Sequence, residues 1–270
     1  MRALKQPFWF SATAFAVFLT CFIKPLPPPV TNQSHADSAT VSDAGKQTIH
    51  HFQTTIRDLG THARQLQLNY LLFLPRSYTP RTKKRYPLLL YLHGAGESGT
   101  DTDDLRSYGP PYFVESHPDL PIIVLSPQAP QAIGFQPFFE EIKALLSDVQ
   151  MRYPVDAKRI YLTGNSMGGN GVWDLALAIP TRFAAIAPVA SFYTSDIRKI
   201  CLLKDLPIWI IHGQDDAGIP VEGAKQLAKA LENCGGHPKL TVLQHTNHVA
   251  TNDVFTHANF YDWLISQHKQ

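Results

Sequence analysis

One stretch limits the possible folds more than any other. Tyr86–His93 runs through Leu88, Leu89, Leu90, Tyr91 and Leu92 without a charged residue. A half-buried strand or an amphipathic helix would interrupt such a run with polar side chains; a strand covered on both faces does not. Similar short apolar runs follow at Ile122–Ser126, Arg159–Thr163, Phe183–Ala190, Ile208–His212 and Leu240–Gln244. Helical patterns alternate with them. Phe138–Tyr153 places Ile142, Leu145, Leu146 and Val149 on one face, and Gly169–Ile179 is stopped by Pro180. Val221–Asn233 ends at Cys234-Gly235-Gly236, and Phe255–Gln267 closes the chain. Two β-like runs, Thr48–Ile56 and Leu66–Leu74, precede the alternation. The order predicts an α/β fold with a mostly parallel central sheet and helices on both faces. No internal repeat and no second domain or large cap is expected.

Composition narrows the function classes. With 44% hydrophobic and 17% charged residues in 270, the chain is globular and large enough to fold without disulfides or metal. A net charge of +2 with no basic block removes the electrostatic basis for nucleic-acid binding. Three cysteines are too few for a disulfide scaffold, and no Cys/His spacing suggests structural zinc.

The first residues read as a targeting segment. Arg2 and Lys5 precede an uncharged stretch from Phe8 to Ile23, and Lys24 with Pro25, Pro27, Pro28 and Pro29 ends it. This predicts a signal peptide or signal anchor over 1–24, export, and a possible membrane tether through 8–23. A buried N-terminal helix is the competing reading. Residues 25–46, rich in Ser, Thr, Asn and Asp, read as a flexible linker before a domain at 47–270. In an exported protein Cys201 and Cys234 can pair, since both fall where strands of a parallel sheet begin; two unrelated buried thiols are the equal alternative.

The chemistry centres on Gly164-Asn165-Ser166-Met167-Gly168, between a predicted strand and a predicted helix. A serine at such a turn projects its hydroxyl, and the following helix offers backbone N–H groups to a developing oxyanion. Met167 would supply one. His93-Gly94-Ala95-Gly96 follows the strand at Tyr86, so the Ala95 N–H is the second candidate donor, with His93 shaping the loop. A serine nucleophile needs a base, and the base needs a carboxylate. Asp215 and Asp216 follow the strand at Ile208. His245, His248 and His257 follow the last strand, and His248 sits best within its loop.

These segments resemble a known family. Residues 86–97, 125–130, 159–169 and 182–188 look like the α/β-hydrolase esterases of the phospholipase/carboxylesterase type, near the feruloyl-esterase and dienelactone-hydrolase-like branches. The resemblance implies Ser166 as nucleophile, Asp216 rather than Asp215 as the acid, and His248 as the base. It implies carboxylic ester hydrolysis through an acyl-enzyme, with no metal or organic cofactor. The partner would be a small-molecule or polymer-attached ester. Ser98, Val249-Ala250 and Gln131–Phe135 depart from the family's usual residues around the pocket. A serine peptidase of prolyl-oligopeptidase type and a non-catalytic hydrolase-fold binding module are the alternatives.

Overall fold

The computed structural model describes residues 43–57, 63–80, 83–191 and 197–269. The targeting segment and nearly all of the expected linker lie outside the described residues. Eight strands form one sheet: β1 (Lys46–Arg57), β2 (Ala63–Leu74), β3 (Tyr86–Leu92), β4 (Ile123–Pro127), β5 (Val155–Asn165), β6 (Ala185–Val189), β7 (Trp209–Gly213) and β8 (Lys239–Leu243). Their spatial order is β1-β2-β4-β3-β5-β6-β7-β8. The β1–β2 and β2–β4 pairs are antiparallel, and all pairs from β4 to β8 are parallel.

Among the described residues, five α-helices cover the sheet: α1 (Gly109–Ser116), α2 (Phe139–Arg152), α3 (Met167–Ala178), α4 (Val221–Asn233) and α5 (Ala258–Ser266). Alternate residues of the central strands serve two separate cores. Leu88, Leu90 and Leu92 belong to the core shared with α2, α3 and α4, whereas Leu89 and Tyr91 belong to the core shared with α1 and α5. That division is why β3 needed apolar residues at every position. The predicted α/β-hydrolase architecture is therefore what the chain adopts.

Several boundaries differ for local reasons. Lys46 already pairs with Leu74, so the sheet starts two residues before Thr48 and takes in the last residue of the expected linker. The closing helix was expected from Phe255. Instead, Ala250–Thr256 is a 3-10 segment, and the extended backbone of His257 separates it from α5. Helix α1 had no counterpart in the sequence reading. It carries Pro110 and Pro111 in its first turn, where a missing N–H costs nothing, although the same pair reads as a breaker in one dimension.

Cys201 and Cys234 are bonded, with Cα atoms 5.4 Å apart. The bond ties the 3-10 segment Ile197–Leu203 to the end of α4. Closing a loop across a sequence separation of 33 residues restricts the unfolded chain by about 3–4 kcal/mol. We expect reduction, or a Cys201→Ala/Cys234→Ala pair, to lower the unfolding free energy by about that amount. Urea unfolding with and without reductant measures it.

Candidate active site

Ser166 follows β5 directly and caps α3 with φ 54° and ψ −118°, a positive φ that few non-glycine residues adopt. Such a conformation costs about 1–3 kcal/mol and persists only where neighbours enforce it. Here Ser166 N–H donates to Val189 O at 3.0 Å, and Asn170 N–H donates to Ser166 O at 3.0 Å. Gly168 permits the turn to close: a Cβ there would stand 1.9 Å from Leu92 O and 2.6 Å from His93 O. The start of α3 thus lies directly on the end of β3.

Three side chains distant in sequence converge beside this turn. Ser166 Oγ lies 2.9 Å from His248 Nε2, and His248 Nδ1 lies 2.6 Å from Asp216 Oδ2. Asp216 is fully enclosed, and its Oδ1 accepts the N–H groups of Gly218 (3.0 Å) and Ile219 (2.7 Å). An ionised Asp216 is acceptor-only, so the His248 proton belongs on Nδ1, leaving Nε2 to accept the Ser166 hydroxyl. The His248 side chain is 32% exposed, which leaves the site open to solvent.

The rival residues are elsewhere. Asp215 is exposed, and its N–H donates to Thr246 O at 3.0 Å. His245 and His257 are exposed, and neither forms a hydrogen bond to Ser166. Ala95 opens a 3-10 turn, Ala95–Glu97, immediately after His93-Gly94. Met167 opens α3, so its N–H has no intrahelical acceptor. The sequence reading missed two neighbours. His212 Nε2 donates to Ile219 O at 2.7 Å and lies 3.4 Å from Asp216 Oδ2, backing the carboxylate. Asn165 Oδ1 accepts the buried Tyr91 hydroxyl at 2.7 Å, fixing the residue before Ser166. The first contact depends on how the loop after β7 folds back on that strand, and the second on the pairing of β3 with β5. Of the residues that depart from the family pattern, Ile133 and Val249 are exposed, and Phe135 is buried with its ring 5.0 Å from that of His93.

His93 is wholly buried. Its Nε2 accepts the Ala129 N–H at 2.9 Å, so Nδ1 carries the proton and donates to Gly94 O at 2.6 Å. The ring therefore links the loop after β3 to the loop after β4 in its neutral form. Burial pushes its pKa down to about 4. Nearby, burial also raises the pKa of Glu97. Among the described residues no group of three or more His, Cys, Asp or Glu side chains could hold a metal ion.

The phospholipase/carboxylesterase family model matches residues 120–261, more than half of the chain. The chain belongs to this family of α/β-hydrolases. A relative named "Probable feruloyl esterase C", from Aspergillus terreus, is 28% identical over 172 residues, 62% of this chain and 62% of that protein. The crystal structure of a thermostable esterase matches with a TM-score of 0.68 at 27% identity, covering 84% of this chain and 64% of that one. The family member described here thus spans less than two thirds of either relative. Porphyromonas gingivalis dipeptidyl peptidase 4 shares the fold, with a TM-score of 0.58 at 17% identity over 80% of this chain and 35% of that one.

The buried neutral His93 makes stability pH-dependent. Its folded pKa is below the unfolded value of 6.5, so between those values the unfolded chain binds more protons. Stability contributed by this residue is complete above about pH 6.5 and is lost as pH falls toward 4, by up to about 3 kcal/mol. Urea unfolding at pH 4.5 and 7 should show a smaller difference for His93→Gln than for the wild type.

Proposed function

We propose that this protein is an exported serine esterase that cleaves carboxylic esters through an acyl-enzyme. The hydrogen-bonded chain from Ser166 Oγ through the His248 ring to Asp216 carries the reading. Ser166 attacks the ester carbonyl as His248 Nε2 takes its proton. Asp216 holds the imidazole in the required tautomer and stabilises the imidazolium. The tetrahedral oxyanion is held by the Ala95 and Met167 N–H groups; the close contact of Gly168 with Leu92 O and His93 O, just before Ala95, supports this pairing. The imidazolium then gives its proton to the leaving alkoxide. Water enters, His248 Nε2 accepts a proton from it, and the resulting attack releases the acid and restores the Ser166 hydroxyl. Each step is a proton or acyl transfer among these groups and the substrate, so no metal or organic cofactor is required.

Family membership supports ester hydrolysis, and the name of the Aspergillus terreus relative makes aromatic-acid esters the first substrates to try. The partly exposed imidazole suits soluble esters or acyl groups carried on a polymer. Export rests on the charge and hydropathy of residues 1–24, and 8–23 would form any membrane tether. The Cys201–Cys234 bond supports it, because disulfides persist in oxidising compartments.

Ser166→Ala should lower kcat for an aryl ester by about a thousandfold or more. It should also abolish labelling by a fluorophosphonate probe and leave the melting temperature nearly unchanged. Retained turnover would refute the nucleophile. Comparable kcat/KM on a matched peptide amide would replace the esterase reading with the peptidase one. A wild-type protein that neither labels nor turns over esters would be a binding module.

A further inference from the structure

Asp216 and His248 sit on different loops, and their 2.6 Å contact requires those loops to stay in register. Two features join them. Asp215 N–H donates to Thr246 O at 3.0 Å. Gly213, the last residue of β7, lies against the same carbonyl: a Cβ there would stand 2.3 Å from Thr246 O and 2.7 Å from Thr251 Oγ1. The loop after β8 therefore rests on the backbone that leads to Asp216.

The loop is also closed on itself. Thr251 is fully buried, and its hydroxyl donates to Asn247 O at 2.8 Å. Its N–H donates to the same oxygen at 3.1 Å. Asn247 Oδ1 accepts the Ala250 N–H at 2.9 Å. His248 and Val249 are thereby held at the tip of a turn clasped from Asn247 to Thr251. Packing offers the tip of that turn little support. Val249 is 63% exposed, and a cleft of about 320 Å³ lies behind Thr246, Ala250 and Val254, facing Trp209 and Leu243. At the tip, hydrogen bonds to Asn247 from Ala250 and Thr251 hold what side-chain packing does not cover.

We propose that Thr251, acting through Asn247, is a positioning residue that holds His248 between Ser166 and Asp216. This rests on the reading of His248 as the base. Thr251→Val keeps the side-chain volume and removes the hydroxyl. Because small misplacements of reacting groups cost large factors in rate, kcat should fall about tenfold while KM stays within about twofold. The fluorophosphonate labelling rate should fall in parallel, and Thr251→Ser should restore both. Asn247 is exposed, so Asn247→Ala removes the Ala250 acceptor without opening the core, and it should lower kcat at an unchanged melting temperature. The hydrogen-bonded Nδ1 proton of His248, seen in the low-field proton NMR spectrum, should broaden in Thr251→Val and sharpen again in Thr251→Ser. A merely structural threonine would not move it. Full kcat in both Thr251→Val and Asn247→Ala, or a loss that serine does not restore, overturns the proposal. His248→Ala run alongside separates the two ideas. If it is inactive while Thr251→Val is normal, the clasp fails and the base stands; if it is active, the base assignment itself fails and the clasp with it.

Discussion

Helix α3 meets strand β3 with less room than one methyl group needs. The space at Gly168 is closed by the carbonyl oxygens of Leu92 and His93, and no side chain fits there. Much of the site depends on that contact. It holds Ser166 in a conformation the residue would not adopt alone. It sets the start of α3 against the backbone of Leu92 and His93, from which the loop carrying Gly94 and Ala95 departs. The His93 ring then fixes that loop from the other side, donating to Gly94 O and accepting from Ala129 N.

The sheet was legible in the sequence because its central strands are buried on both faces. Leu88 through Leu92 have one plausible environment, and the two cores they feed confirm it. The serine turn was legible because its glycines answer to a local steric demand. Other features depend on contacts that no local pattern encodes. Choosing between Asp215 and Asp216 needed either a family resemblance or a view of which carboxylate is enclosed, since adjacent loop aspartates look alike in one dimension. The structure buries Asp216 and bonds it to two backbone N–H groups and to His248, while it leaves Asp215 exposed. The Cys201–Cys234 bond likewise required the end of α4 to be brought against the segment before β7. Helix α1 escaped notice because proline at a helix start and proline in a loop have the same spelling.

The sheet acts as a ruler for the site. Ser166 follows β5, Asp216 follows β7 and His248 follows β8, so the separations of the loops inherit the spacing of neighbouring strands. That ruler has a weak mark. Strand β8 is five residues long, pairs only with β7 and is at best half-buried along its length. Strands β6 and β7 in turn meet through only two bridging pairs, Val189 with Ile211 and Ile186 with Ile208. Short edge strands with exposed hydrogen bonds are the first parts of a sheet to open. Opening here would draw the imidazole and its carboxylate away from Ser166 while the strands from β1 to β6 stayed paired. On warming, turnover would then disappear before circular dichroism registered any melting, so the molecule would lose its competence ahead of its shape.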